Sequence, residues 1–144
     1  MTGLSARIQR TVPKSAPRKR EGDSRSYLNW IKSLPCLVTG LPAEDPHHLM
    51  RLREDDGRKA IKGMGRKHED RWALPVTRIV HDQLHMAGDD EAFLAGMGFD
   101  ARSICKCLWA MRDDDNRDES ARKLLDRVRA SARLKILERK EQRA

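Results

Sequence analysis

The sequence has few aromatic residues and no long apolar run. Aromatic side chains make up 4% of the 144 residues and apolar side chains 38%, enough for one modest core but too little to pack the whole chain. No apolar stretch approaches the roughly 18 residues that a membrane-spanning helix needs. The basic N-terminus is followed by no apolar stretch that could act as a signal peptide. We therefore expect neither a membrane protein nor a secreted one, and a cytoplasmic location.

Cysteine is also scarce, whereas basic residues are in excess. The three cysteines, Cys36, Cys105 and Cys107, are an odd number, and the last two are too close in sequence for a comfortable disulfide, which fits a reducing compartment. Lys and Arg number 30 against 22 Asp and Glu, a formal net charge of +8. Such an excess most often reflects a polyanionic partner, and nucleic acid is the first candidate.

The charge pattern divides the chain into three stretches, 1–26, 27–112 and 113–144. The first holds seven basic residues and two acidic ones among prolines and serines, and such a stretch cannot bury enough apolar surface to order itself. We expect a disordered basic arm there, with Arg18, Lys19 and Arg20 available to contact phosphates. The last stretch is expected to be a basic helix that packs one apolar stripe on the core. The stripe would comprise Leu124, Leu125, Val128, Leu134, Ile136 and Leu137.

The middle stretch carries the helix and strand signals of a small α+β domain. The expected elements are a helix over residues 27–34, strands over 36–40 and 72–76, a surface loop over 51–70, and helices over 78–87, from 89 or 90, and from 100. Ser26, Thr77 and Asp100 are side chains that can cap helices, and Gly88 can end one. An apolar core with helices before and after a short sheet is therefore expected.

All five histidines fall between residues 47 and 85. His81 and His85 are four residues apart on an expected helix, so their rings share one face and can bind one metal ion. Taken alone, such a pair fits two ordinary surface histidines equally well. His47 and His48 are adjacent in an extended segment and point to opposite sides. One of them could therefore bind a metal while the other takes a proton from water, in a strand, loop, strand and helix arrangement of the ββα-metal type.

Several runs together resemble a known family. They are Pro35-Cys36-Leu37-Val38-Thr39-Gly40, Asp45-Pro46-His47-His48-Leu49, Gly63-Met64-Gly65-Arg66-Lys67, Asp70, Leu74-Pro75-Val76 and His81-Asp82-Gln83-Leu84-His85. Residues 27–100 with these runs resemble an HNH, or His-Me finger, endonuclease domain, most closely in the phage and prophage branch that includes the Ref recombination-enhancement nuclease. The resemblance implies a ββα-metal core with flanking helices.

The resemblance also implies roles for individual residues. His48 would be the general base that activates water, and His47, His81 and His85 would bind one divalent metal ion. Asp70 would take the orienting role of the central Asn of other HNH enzymes. The ion would be Mg, Mn or Zn. Three neutral imidazoles suit Zn, Ni, Co or Mn better than Mg, which prefers oxygen ligands.

The implied reaction is metal-dependent hydrolysis of DNA phosphodiester bonds in phage or prophage recombination. The partner would be DNA and, in the Ref-type case, a recombinase–DNA filament in a bacterial or phage-infected cell. For Arg66 and Lys67, beside the glycines of the loop, we expect contact with phosphate, and an ordinary surface loop is the alternative. Many relatives carry two cysteine pairs that bind a structural zinc. The corresponding positions here are Cys36 with Thr39 and Thr77 with Val80, so a four-cysteine site cannot form and apolar packing must hold the finger together.

Two other interpretations of the same residues compete. A non-catalytic, metal-stabilised DNA-binding module would use the basic excess equally well, because contact with phosphate underlies both functions. His48, which has no ligand role in a closed tetrahedral site, separates the two. The run from His81 to His85 also resembles the H-E-x-x-H motif of zinc proteases, with Asp82 as the base. Against this, Asp is shorter than Glu, Gly88 ends the helix at once, and no later histidine offers a third ligand.

Overall fold

The computed structural model of the chain describes residues 21–50 and 68–143. In these ranges five α-helices surround one two-stranded antiparallel sheet, and the expected α+β class is confirmed. The elements are α1 (Arg25–Lys32), β1 (Asp45–His48), a 3₁₀ helix (Asp70–Trp72), β2 (Ala73–Val76), α2 (Arg78–Ala87), α3 (Asp90–Gly96), α4 (Ala101–Ala110) and α5 (Arg117–Gln142). The predictions for the arm with Arg18, Lys19 and Arg20, and for the loop with Arg66 and Lys67, lie outside the described residues.

The sheet pairs β1 with β2, so the histidine-bearing segment is itself a strand. His47 lies opposite Leu74, and His48 lies opposite Ala73. The strand predicted over residues 36–40 is wrong, because this segment forms a turn in which the Gly40 N–H donates to the Cys36 carbonyl at 2.9 Å. Gly40 has a positive φ of 74°, and prolines at both ends of the segment cannot donate to a strand ladder. The turn is still tied to the sheet, since the N–H of residue 37 donates to the carbonyl of residue 75.

Side-chain caps set the helix starts in the region of the sheet. The Thr77 hydroxyl accepts from the Val80 N–H at the start of α2, as predicted, and Gly88 ends that helix with a φ of 77°. The prediction of Ser26 as the cap of α1 is wrong. Ser24 caps this helix, because its backbone is extended and its hydroxyl accepts from the N–H of residue 27. Helix α1 therefore begins and ends two residues earlier than predicted.

The long helix α5 packs on the same core as the preceding elements, but with a shorter stripe than predicted. Its buried residues are Ala121, Leu125 and Ala132, and Ala132 lies close to Gly98 in the α3–α4 turn. Leu134 and Leu137, predicted to face the core, are 61% and 55% exposed. No described residue after Ala132 in this helix is buried. The helix therefore leaves the core before its last two turns.

The cysteines differ in their surroundings. Cys36 and Cys105 are buried, and Cys107 is exposed, because side chains two residues apart on a helix diverge. The Cys36 sulfur accepts from the Thr39 N–H at 3.5 Å, and Arg129 of α5 donates to the Cys36 carbonyl at 3.0 Å. The thiol of this turn thus accepts a hydrogen bond within the turn, and Arg129 connects the turn to α5. None of the described helices has both the length and the apolar character needed to cross a membrane.

Candidate functional site

Three histidines from two elements converge at one point. His47 comes from β1, and His81 and His85 come from successive turns of α2. Each offers a ring nitrogen that lies within 4.8 Å of those of the other two. The Nε2 atoms of His81 and His85 are only 3.0 Å apart, and the His47 ring centroid lies 5.2 Å and 5.4 Å from theirs. The structure therefore brings together the three residues that were predicted as metal ligands.

The tautomer of His47 is fixed by a buried carboxylate. His47 Nε2 lies 2.8 Å from Asp90 Oδ2, and both side chains are fully buried. An ionised carboxylate only accepts hydrogen bonds, so Nε2 carries a proton, and in the neutral ring the lone pair is on Nδ1. His47 Nδ1 is buried and has no hydrogen-bond partner. A buried lone pair without a partner is costly, and a bound cation would satisfy it.

Asp90 is held in place by the backbone around it. Its Oδ2 accepts from the Met50 N–H at 2.7 Å, and its Oδ1 accepts from the Glu91 N–H at 2.9 Å. Burial raises the pKa of Asp90, but the hydrogen bonds from His47 and from these two N–H groups outweigh it, and the pKa lies below its ordinary value. The Asp90 carboxylate is thus an anion that orients His47, in the way that carboxylates orient metal-bound histidines in other proteins.

A second carboxylate approaches His81. Asp45, the first residue of β1, places Oδ2 at 3.6 Å from His81 Nδ1. Burial lowers the pKa of His81, the neighbouring His47 and His85 lower it further, and Asp45 and Asp82 act in the opposite direction. The net result is a pKa of His81 below the ordinary value, which favours the neutral form that can bind a metal.

The other histidine of β1 points away from this cluster, as the strand alternation predicted. His48 Nε2 lies 2.8 Å from Asp70 Oδ1, and both side chains are partly exposed. The other oxygen of Asp70 accepts from the Ser24 N–H at 2.9 Å. With the proton of His48 on Nε2, the lone pair of the neutral ring is on Nδ1. The structure therefore pairs the two residues that were predicted as base and orienting group.

The donor chemistry of the cluster fits a transition-metal ion. Among the His, Cys, Asp and Glu side chains of residues 21–50 and 68–143, one group is placed so that it could hold a metal ion. It consists of His47, His81 and His85. Three protein ligands leave one position of a tetrahedral site for water or substrate, which is the pattern of catalytic rather than structural zinc sites. Imidazole ligands suit Zn or Mn better than Mg.

Two carboxylates at the site were missed in the sequence. The sequence indicates Asp90 only as a possible first residue of α3, and Asp45 only as the start of the run that contains His47 and His48. Asp90 lies 43 residues from His47 in sequence, so no local spacing could connect them. Only the structure distinguishes the two adjacent carboxylates: Asp89 caps α3, whereas Asp90 is buried.

Comparisons with known proteins give a family but no activity. A family model described as "Protein of unknown function (DUF968)" matches residues 8–112. "Uncharacterized protein YdfU" of Escherichia coli (strain K12) is 39% identical over 69 residues, which cover 48% of this chain and 18% of that protein. "Peptidoglycan hydrolase FlgJ" of Escherichia coli O157:H7 and of strain K12 is 28% identical over 89 residues, which cover 53% of this chain and 28% of that protein. The chain spans less than a third of the length of these relatives. No solved structure matches it.

Proposed function

We propose a function on two premises: the chain belongs to the DUF968 family of proteins of unknown function, and its histidines form the arrangement described above. We propose that the protein is an endonuclease of the HNH type that hydrolyses DNA phosphodiester bonds with one divalent metal ion. The setting would be recombination or processing of phage or prophage DNA, in the cytoplasm of a bacterial or phage-infected cell.

In this proposal the residues divide into two groups. His47, His81 and His85 would hold the ion, which when bound supplies a Lewis acid for the phosphate and the leaving oxygen. His48 would take the proton from the attacking water through Nδ1. Asp70, which accepts from His48 Nε2–H, would hold the ring in that tautomer and stabilise the imidazolium that forms. The 2.8 Å contact between His48 and Asp70 supports these roles, since it would join the base to its orienting group.

The observation that carries the proposal is the separation of the two adjacent histidines of β1. A purely structural metal site would need His47 but has no use for His48, which lies outside the cluster and is paired with its own carboxylate. The rival function, a non-catalytic metal-stabilised DNA-binding module, shares the metal and the charge. It is disfavoured because structural zinc sites are closed by four protein ligands, and the described residues supply three.

The positive charge of the chain is the reason for proposing DNA as the substrate. The chain has a formal net charge of +8, and phosphate contacts by Lys and Arg supply most sequence-independent binding to DNA. Arg66, Lys67 and the basic arm with Arg18, Lys19 and Arg20 remain the proposed phosphate contacts.

The test is cleavage of a supercoiled plasmid and of a single-stranded circle by the purified protein. Mg, Mn or Zn is added singly, with EDTA as the metal-free reaction, and binding to the same DNA is measured in parallel. We expect metal-dependent cutting of at least one substrate. A parallel series with a recombinase–DNA filament tests whether a partner is required. Binding without cutting in every series would overturn the nuclease and leave the binding module.

A further inference from the structure

We infer that Asp45 is a positioning residue that selects the metal-binding tautomer of His81; the inference rests on the proposed metal function. The sheet register is what brings the two residues together. Asp45 pairs with Val76 at the end of β2, and α2 begins two residues later. The first residue of β1 therefore lies beside the first turn of the helix that carries His81.

One oxygen of Asp45 is available to His81. Asp45 Oδ2 is buried and makes no hydrogen bond, and His81 Nδ1 lies 3.6 Å from it. Arg78 Nη2 donates to the other oxygen, Oδ1, at 3.1 Å. Arg78 Nε also lies 2.7 Å from Oδ2, but this contact does not satisfy Oδ2 as a hydrogen bond. A shift of about half an ångström would bring His81 Nδ1 within ordinary hydrogen-bond distance of Oδ2.

The carboxylate can accept only, so this hydrogen bond requires the proton of His81 on Nδ1. The lone pair then resides on Nε2, the same nitrogen that lies 3.0 Å from His85 Nε2. His47 is held in the opposite way, since its Nε2–H donates to Asp90 and Nδ1 is left to bind. Two carboxylates thus select different nitrogens on two histidines, and the three lone pairs are offered to one ion.

The experiment compares zinc affinity in three variants with the wild type, by competition with a chromogenic chelator. Asp45→Ala removes the acceptor for His81. Asp82→Ala is the matched control, because Asp82 is the neighbour of His81 and acts on it through charge alone. Arg78→Ala removes the ion pair but leaves Asp45. We expect Asp45→Ala to weaken zinc binding about 10–100-fold, as is typical for the loss of a group that orients a ligand, and the other two variants to bind zinc within about threefold of the wild type.

The second readout is the ¹⁵N spectrum of the His81 ring in the zinc-loaded and the zinc-free wild type, which requires no variant to fold. We expect the proton on Nδ1 in the zinc-loaded protein and a predominance of that tautomer without zinc. A proton on Nε2, or equal losses of affinity in Asp45→Ala and either control, would overturn the role of Asp45 while leaving the proposed nuclease intact. A wild type that binds no zinc and cuts no DNA with Mg, Mn or Zn would instead contradict the proposed function itself, and the zinc-free spectrum would still decide the tautomer.

Discussion

Replacing Asp90 by Asn should weaken both the fold and metal binding. The carboxylate is fully buried and accepts three hydrogen bonds, from His47 Nε2, from the Met50 N–H and from the Glu91 N–H. An Asn side chain has almost the same shape. Its single oxygen can replace Oδ2, which serves His47 and Met50, but its NH₂ group then faces the donor of Glu91.

The size of the effect follows from these contacts. A hydrogen bond to a charged group contributes about 1.5–3 kcal/mol and a neutral one about 1 kcal/mol, so two bonds that lose their charge should cost about 2 kcal/mol together. The conflict between two donors at Glu91 adds about 1 kcal/mol. The free energy of unfolding of the metal-free protein should therefore fall by about 3 kcal/mol. Because His47 is no longer oriented by an anion, metal affinity should fall about 10–100-fold.

Asp89→Asn is the matched control. Asp89 is the adjacent residue and caps α3 by accepting from the Ala92 N–H, a role that Asn fills about as well. The two variants have the same composition and charge. Urea unfolding of the metal-free proteins and chelator competition with zinc give both quantities. If Asp90→Asn and Asp89→Asn differ in neither measurement, the assignment of Asp90 as the orienting group of His47 is wrong.

Three further predictions concern the ligands and the packing of α5. His85→Ala should reduce zinc affinity by more than the roughly 10–100-fold that is typical of a lost orienting group, because it removes a ligand. Because His85 is exposed, the same variant should change the free energy of unfolding of the metal-free protein in urea by less than about 0.5 kcal/mol. Unchanged zinc affinity would remove His85 from the ligand set. Zinc affinity should fall as the pH is lowered, since protons compete for the imidazoles. The midpoint of the loss caused by protonation of His81 should lie below the ordinary pKa of 6.5, because this pKa is lowered. A competition titration at each pH that finds tighter binding in acid would contradict this. Gly98→Ala should lower the free energy of unfolding by about 1–3 kcal/mol, because Gly98 has a φ of 93° and the added Cβ would lie 2.9 Å from the Ala132 Cα. Gly96→Ala is the control, since its Cβ would meet no atom within 4 Å, and it should be neutral or stabilising in the same urea experiment.

The sequence allowed much of the site to be predicted because its main signals are local. The four-residue spacing of His81 and His85 places both on one face of α2, and the adjacency of His47 and His48 in a strand sends them to opposite sides. Both predictions depend only on backbone periodicity. The resemblance to HNH enzymes supplied the assignment of Asp70 to His48, and the structure places these two side chains 2.8 Å apart.

The parts that could not be predicted depend on long-range packing. The partner of His47 is a residue of α3, brought to it by the way the helices fold back on the sheet, and no sequence spacing encodes that contact. Likewise, Leu134 and Leu137 have the periodicity of a core stripe, but whether they are covered depends on how far the rest of the core extends along α5. The strand predicted at Cys36 failed because its apolar character favoured extension, whereas Gly40 and the flanking prolines determine a turn.

The most direct test of the central claim is single-turnover cleavage of DNA by His48→Ala beside the wild type, with bound metal measured on the same samples. We predict one metal ion per chain in both proteins, similar binding to DNA, and cutting by the wild type alone, because the variant keeps every metal ligand and lacks only the group that accepts the proton of water. His48→Ala that retains its metal and cuts DNA at the rate of the wild type would contradict the account.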